Sequence, residues 1–336
     1  MGFMFNFAMN NVLITLPDLE SHCPFPHRTN RYRKLASART KRWFFNGDNT
    51  LHHKQWESFK GLNPALLAAA CYPEAGYPQL QLCSDFMLYL FFLDNLSDEL
   101  GKGDTVAVAN LVLNCFYHAY TFPSNTRIAV MSKDIGRRIQ QTSTPGVYRR
   151  FVETFDLLFQ SVRDQAIHRE SGIIPTVEEY MRLRRDTAAC KPCWAVIEYA
   201  NNLDIPDHVM NNPVVRGLEN AANDLVAWSN DIFSYSVEQS KGDTHNMVAV
   251  VMHHNGLDLP AAVEFVGDLC KDAMARFTSQ KKELPTWGTE IDRDVSKYVQ
   301  GLADWISGIL YWSFETERYF GKAVKTVKAT KVVRLS

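Results

Sequence analysis

The stretch Asn230-Asp-Ile-Phe-Ser-Tyr-Ser-Val-Glu238 places three oxygen-bearing side chains at positions i, i+4 and i+8 of a predicted helix. At about 100° per residue, each four-residue step drifts by roughly 40°, so Asn230, Ser234 and Glu238 share one helical face. Mg²⁺ prefers oxygen ligands and usually leaves some positions to water or substrate phosphates. The stretch therefore predicts a helix that carries one half of a magnesium and diphosphate site.

A second acidic group lies upstream, directly after an apolar and aromatic run over residues 86–93. Asp94 and Asp98 follow this run four residues apart and share a helical face, and Gly101 and Gly103 mark the expected end of the helix. Carboxylates near a helix C-terminus meet its partial negative charge, so they are unfavourable unless a cation compensates them. Asp94 and Asp98 are therefore predicted to be the other metal ligands.

Positively charged partners for a diphosphate occur at three places in the chain. Arg184 lies upstream of the Asn230–Glu238 motif, and Lys241 follows Glu238 closely. Arg318 and Tyr319 lie near the end of the last long predicted helix. A guanidinium binds phosphate through parallel hydrogen bonds, and a tyrosine hydroxyl adds a neutral donor. These four residues are the predicted diphosphate ligands.

Composition excludes several other classes of protein. The 336 residues are 46% hydrophobic and carry a formal net charge of −1, so no global field attracts nucleic acid or an anionic membrane. Seven cysteines are an odd number spread over a long chain, which favours reduced thiols and a cytoplasmic location. No stretch reaches the roughly 18 to 20 apolar residues of a membrane span, so stable membrane insertion is not expected.

The pattern along the chain is helical almost throughout, with prolines and glycines between the helical segments. The sequence predicts an all-α fold in one domain. Residues 1–30 are expected to form an irregular leader, residues 31–320 the helical domain, and residues 321–336 a basic, flexible tail. No repeat of solenoid length is visible.

Together these motifs resemble those of the class I terpene synthases, and specifically the microbial, mostly fungal and basidiomycete-like, sesquiterpene cyclases. Asp94-Asn-Leu-Ser-Asp98 is similar to the aspartate-rich motif, the stretch from Asn230 to Glu238 to the second metal motif, Arg184 to the diphosphate sensor, and Arg318-Tyr319 to the terminal pair. Leu16-Pro-Asp-Leu19 is similar to the opening of many fungal members. The chain departs from the pattern at Asn95, where an acid is common, and at Ala188 and Ala189.

The resemblance implies an α-helical bundle with a deep central apolar pocket, three Mg²⁺ ions that Mn²⁺ could replace, and an isoprenoid diphosphate substrate. Asp94, Arg184, Arg318 and Tyr319 would then be catalytic, because they act on the breaking C–O bond through metal or phosphate. Aromatic faces stabilise a nearby cation by roughly 0.5 to 2 kcal/mol. The candidates for lining the pocket in this way are Phe86, Tyr89, Phe91, Trp305 and Trp312.

The predicted reaction is Mg²⁺-dependent ionisation and cyclisation of farnesyl diphosphate to a sesquiterpene hydrocarbon or alcohol, by a monomer or homodimer. A chain-elongating prenyltransferase is the nearest alternative, but such enzymes carry two aspartate-rich motifs, whereas the second motif here is Asn230, Ser234 and Glu238. A cyclase that prefers a ten- or twenty-carbon diphosphate is a further alternative. A helical scaffold without chemistry is the alternative from another class, and it predicts that substitutions in this motif change nothing measurable.

Overall fold

The computed structural model describes residues 12–45, 61–99 and 102–335, with the backbone alone at 97–99, 102 and 103. The elements in chain order are β1 (Leu13–Thr15), α1 (Leu19–His22), α2 (Arg33–Phe45), α3 (Pro64–Cys71), α4 (Tyr77–Glu99), α5 (Lys102–Tyr117), α6 (Arg127–Thr142), α7 (Pro145–Ser171), α8 (Val177–Thr187), α9 (Cys190–Ala200), α10 (Asp207–Met210), α11 (Pro213–Ser240), α12 (Met247–Asn255), α13 (Leu259–Lys281), α14 (Thr289–Ser313), α15 (Val324–Thr330) and β2 (Val332–Arg334). The predicted all-α class is confirmed, because the described strands form a single two-stranded sheet beside the helices.

The helices begin where the local sequence supplies capping groups. The side chains of Thr144, Asn212 and Asp258 each accept a hydrogen bond from a backbone N–H in the first turn of α7, α11 and α13. Thr176 and Glu179 form a reciprocal capping box at the start of α8. Such bonds satisfy N–H groups that have no partner within the helix. Local chemistry therefore sets these boundaries.

The core lies between α11 and its neighbours. Along its length α11 packs against α13 and α14, and α14 packs in turn against α3. The approach of α14 to α3 is close: a Cβ added at Gly308 would lie 2.8 Å from the backbone carbonyl carbon of Ala70. Only glycine fits such a contact without displacement of one helix. These buried helices support α11, the helix that carries the Asn230–Glu238 motif.

The two ends of the described chain pair with each other. β1 and β2 lie within the segments for which the sequence predicts an irregular leader and a flexible tail, and that division of the chain stays a prediction. β1 and β2 are antiparallel, with Ile14 opposite Val333, and the side chains of Ile14, Val333 and Leu335 are buried. Three-residue strands carry too little alternation to be recognised locally, since their stability depends on a partner distant in sequence.

In the part of the chain that the structure describes, none of the helices combines the length and apolar composition that a membrane span requires.

Candidate active site

The Asn230–Glu238 motif lies on one uninterrupted helix, as its spacing predicts. α11 runs from Pro213 to Ser240 and contains Asn230, Ser234 and Glu238 in its second half. Asn230 and Glu238 are half-buried, whereas Ser234 is only 7% exposed. The Ser234 Oγ atom is buried and makes no close hydrogen bond among the described residues, although it is near enough to Glu238 to lower the pKa of that carboxyl. A buried hydroxyl without a partner is costly unless a ligand satisfies it.

Arg184 reaches this face from α8. Its Nη2 atom donates to Asn230 Oδ1 at 2.8 Å, and its Nε atom donates to Asp231 Oδ1 at 3.0 Å. Burial acts to lower the pKa of Arg184, but Asp231, Tyr180 and Glu238 together outweigh that effect and raise the net pKa above its usual value. Arg184 is therefore a permanent cation held beside the predicted metal ligand.

Asp231 contacts Arg184 inside the predicted site, and sequence reasoning missed it. It is 1% exposed and accepts hydrogen bonds from Tyr180 Oη at 2.7 Å and from the backbone N–H of Met247 at 3.0 Å, in addition to Arg184. Burial raises the pKa of Asp231, and Arg184 and these hydrogen bonds counteract that rise. One sequence signal was available for this contact. Tyr180 lies four residues before Arg184, so the two side chains share a face of α8 and can reach the same carboxylate.

Tyr319 completes the contacts of Asn230. The Asn230 amide donates from Nδ2 to Tyr319 Oη at 2.8 Å. Burial raises the pKa of Tyr319, so its phenol stays neutral and keeps a proton to donate. Both polar atoms of the Asn230 amide are thus hydrogen-bonded: Oδ1 to Arg184, upstream in the chain, and Nδ2 to Tyr319, downstream.

Arg318 connects the terminal pair to the aspartate-rich motif. Its Nη2 atom donates to Asp94 Oδ2 at 2.7 Å, and its guanidinium carbon lies 4.8 Å from the centre of the Phe91 ring. Phe91 stacks on Trp312 with ring centres 5.6 Å apart. Burial acts to lower the pKa of Arg318, but Asp94 and Tyr319 outweigh it and the net pKa is raised. A charged guanidinium therefore lies on an aromatic surface beside Asp94.

Two predicted ligands are less well defined by the structure. Asp98 belongs to α4, but its side chain lies outside the described residues. Lys241 is the C-cap residue of α11 and is exposed. The roles predicted for both residues stay predictions.

The remaining aromatic candidates have contacts within the helical core. Phe86 packs against Phe151 and Phe155 of α7, and Tyr89 shares a 2.7 Å hydrogen bond with Ser132 of α6. Trp305 packs edge-on against Tyr72 and Trp194. That these rings line a deep central pocket stays a prediction.

Glu238 accepts a hydrogen bond from Asn246, a residue that the motif did not predict. Asn246 donates from Nδ2 to Glu238 Oε2 at 2.9 Å. Burial raises the pKa of Glu238 to about 7, the nearby Asp231 carboxylate adds to the rise, and the Asn246 hydrogen bond counteracts it. The sequence signal for Asn246 was its position before the apolar start of α12, which marks a helix cap but not a contact with Glu238.

Comparison with known proteins identifies the family. Residues 85–276 match the family model described as terpene synthase family 2, C-terminal metal binding. The chain is 57% identical to a sesquiterpene synthase of Cyclocybe aegerita over 98% of its own length and 95% of the relative. This chain belongs to the terpene synthase family. It is a class I terpene synthase, and therefore a lyase, as its motifs predict.

Other terpene synthases agree in sequence and in fold. A sesquiterpene synthase of Postia placenta is 56% identical over 96% of this chain and 95% of the relative, and alpha-muurolene synthase of Coprinopsis cinerea is 43% identical over 95% and 77%. Germacradien-4-ol synthase from Streptomyces citricolor superposes with a TM-score of 0.76 at 25% identity, covering 87% of this chain and 97% of that one. A solved a-eudesmol synthase shares the fold, with a TM-score of 0.78 at 17% identity, covering 87% and 97%.

The residues of this terpene synthase fit a hard divalent cation. Metal binding is part of the description of the family model, whose match covers both acidic motifs and Arg184 but ends before Arg318. Within the described ranges no three His, Cys, Asp or Glu side chains form a metal cluster. The predicted donor set on α11 is the mixed set of Asn230, Ser234 and Glu238. Amide, hydroxyl and carboxylate oxygens are ligands that suit Mg²⁺, and the unsatisfied Ser234 Oγ agrees with this set.

Proposed function

We propose that this terpene synthase ionises farnesyl diphosphate in a Mg²⁺-dependent reaction, cyclises the resulting cation to a sesquiterpene hydrocarbon or alcohol, and releases pyrophosphate. The substrate is proposed because relatives at 56 to 57% identity are named sesquiterpene synthases. The observation that carries the mechanism is the contact of Asn230 with both Arg184 and Tyr319. A proposed metal ligand of α11 thereby contacts two proposed diphosphate ligands.

Two groups of residues would hold the metal. Asn230, Ser234 and Glu238 would bind one ion, and Asp94 with Asp98 the others of the three expected. Mn²⁺ has the same preference for oxygen and could replace Mg²⁺. When bound, the ions would supply positive charge to the departing diphosphate.

The side chains of this chain supply the remaining charge. Arg184 and Arg318 would donate to the diphosphate oxygens, Tyr319 would add a neutral donor, and Lys241 a further cation. Fixed donors stabilise negative charge as it develops on the leaving group, which lowers the barrier to ionisation. Both guanidiniums already lie at the two motifs, so binding needs an exchange of hydrogen-bond partners rather than a large movement.

The organic cation needs an apolar surface without water. Phe91 and Trp312 form a stacked pair beside Arg318, and Phe91 is the member of the predicted aromatic set that lies directly against a proposed diphosphate ligand. A ring face near a desolvated cation contributes up to about 2 kcal/mol. Exclusion of water by such a surface prevents early capture of the cation.

The test is incubation of the purified protein with farnesyl diphosphate and Mg²⁺, followed by gas chromatography and mass spectrometry of extracted volatiles. Parallel reactions with ten- and twenty-carbon diphosphates, and with added isopentenyl diphosphate, test chain length and elongation. A sesquiterpene from farnesyl diphosphate alone supports the proposal. Folded, metal-binding protein that makes no terpene contradicts the proposal. Consumption of isopentenyl diphosphate would identify the protein as a prenyltransferase instead.

Variants of the Asn230–Glu238 motif test the site itself. Asn230→Ala and Glu238→Ala are each expected to lower turnover by a factor on the order of 10² to 10³, because charge stabilisation is lost. Ser240→Ala, on the same helix, is the control and should turn over like the parent, since the exposed Ser240 hydroxyl donates to the backbone carbonyl of Val237 and, among the described residues, to none of the motif side chains. Unchanged activity in both motif variants would leave the catalytic assignment without support.

A further inference from the structure

The loop between α11 and α12 contains an asparagine whose side chain is fully engaged. Asn246 is 0% exposed, and its Oδ1 atom accepts a hydrogen bond from the backbone N–H of Val248 at 2.9 Å. Its Nδ2 atom donates both to the backbone carbonyl of Asp231 at 2.7 Å and to Glu238 Oε2 at 2.9 Å. An asparagine amide has two N–H donors, so both are used. Asn246 therefore caps one helix and contacts two points of another.

The path of the loop makes these contacts possible. The backbone N–H groups of Lys241 and Asp243 both donate to the carbonyl of Glu238, at 3.0 and 3.1 Å. Gly242 between them has a φ of 74°, a left-handed conformation that glycine adopts without steric cost. The chain thus turns back immediately after α11 and brings Asn246 beside the helix it has just left.

The loop is also tied to the residue that holds Arg184. Asp231 accepts from the backbone N–H of Met247 through Oδ2 and from Arg184 through Oδ1. Asn246 contacts the carbonyl of the same Asp231. One buried residue of α11 is therefore bonded to Arg184, to the start of α12 and, through Asn246, to Glu238.

We propose that Asn246 is a positioning residue for the metal ligand Glu238. By donating to Oε2 it would fix the carboxylate rotamer for the ion that Glu238 would hold, and it links Glu238 to Asp231 and, through Asp231, to Arg184. Hydrogen bonds to a ligating carboxylate typically change metal affinity or activity by 10- to 100-fold when removed. The inference rests on the proposed function, because it requires Glu238 to bind the ion.

Asn246→Asp separates this role from helix capping. Aspartate has nearly the same shape and caps helices as well as asparagine, so it can still accept from Val248. It cannot donate, and it places a carboxylate oxygen where an N–H faced Glu238. The matched control is Asn212→Asp, because Asn212 caps α11 by accepting from the N–H of Val214 at 2.9 Å.

The experiment measures metal binding without substrate turnover. Each protein is titrated with Mn²⁺ in the presence of inorganic pyrophosphate, and free Mn²⁺ is followed by electron paramagnetic resonance. Asn246→Asp is expected to raise the apparent Kd for Mn²⁺ by 10- to 100-fold. The Mg²⁺ concentration for half-maximal turnover of farnesyl diphosphate should rise in parallel, and Asn212→Asp should match the parent in both assays.

The outcomes separate the inference from the proposed function. If the parent binds Mn²⁺ with pyrophosphate and makes a terpene, but Asn246→Asp binds as tightly as the parent, the positioning role is wrong and Asn246 is only a cap. If the parent itself neither binds nor turns over, the proposed function fails. Should Asn246→Asp not fold by circular dichroism, Asn246→Ser decides, since serine also caps but is too short to reach Glu238.

Discussion

Arg318 and Asp94, 224 residues apart in sequence, are joined by a hydrogen-bonded ion pair of 2.7 Å. Arg184 likewise donates a hydrogen bond to the Asn230 side chain, at 2.8 Å. Each arginine predicted to bind phosphate therefore contacts a residue predicted to bind metal. The same oxygens can be satisfied by a guanidinium or by a metal ion, so the two ligand sets are electrostatically coupled.

Arg318→Lys should affect catalysis far more than stability. Its pair with Asp94 is partly exposed, at 28% and 52% of the side chains, and such pairs contribute about 0 to 1 kcal/mol. Lysine keeps the charge but loses the planar fork, so turnover should fall by roughly 10² to 10³-fold. Arg149→Lys, in a surface pair with Asp207, is the control for loss of the fork. Equal turnover in both variants would contradict a role for Arg318 at the diphosphate.

Asp231→Asn should destabilise the fold. It leaves the Arg184 guanidinium without its carboxylate in a site where only 17% of that side chain is exposed, and breaking such a pair costs about 3 to 5 kcal/mol. Denaturant unfolding followed by circular dichroism measures the loss. Asp207→Asn removes a carboxylate that is 52% exposed and should change stability by less than about 1 kcal/mol. A loss no larger than this at Asp231 would show that the pair is not structural.

Glu238→Gln should alter the pH dependence of stability in the absence of added metal. Burial raises the pKa of Glu238 to about 7, above that of an unfolded glutamate. The unfolded state then loses its proton first, so the contribution of Glu238 to stability is present at pH 4 and is lost as the pH rises through 7. The free energy of unfolding, measured in EDTA at pH 5 and pH 8, should fall less over this range in Glu238→Gln than in the parent. An identical fall in both would place the Glu238 pKa near its normal value.

Ala189→Gly should stabilise the protein slightly. Ala189 has a φ of 56° between α8 and α9, and a left-handed conformation costs an L-residue roughly 1 to 2 kcal/mol. Glycine removes that cost but raises the entropy of the unfolded chain, which costs about 0.5 to 1 kcal/mol, so a net gain between about 0 and 1.5 kcal/mol is expected. Ala188→Gly is the control, because Ala188 has a helical φ of −67° and should only be destabilised. A destabilised Ala189→Gly would contradict the strain argument.

Local sequence determined the helices and the ligands that share a helix. The spacing of Asn230, Ser234 and Glu238 fixes them on one face because helix geometry is the same wherever a helix forms. The apolar periodicity and the proline and glycine breaks determine the all-α class for the same reason. The order of the motifs along the chain was sufficient to indicate the terpene synthase family.

Only the tertiary structure decided which distant residues meet. The contacts of Arg184 with Asp231, of Asn246 with Glu238 and of Arg318 with Asp94 depend on how helices and loops pack, and no periodicity encodes them. The pairing of β1 with β2 is of the same kind, since each strand is stable only beside the other. Short-range rules act over a few residues, whereas these contacts are selected by burial of the whole core, which is why the sequence by itself supplied the ligands and the fold supplied their partners.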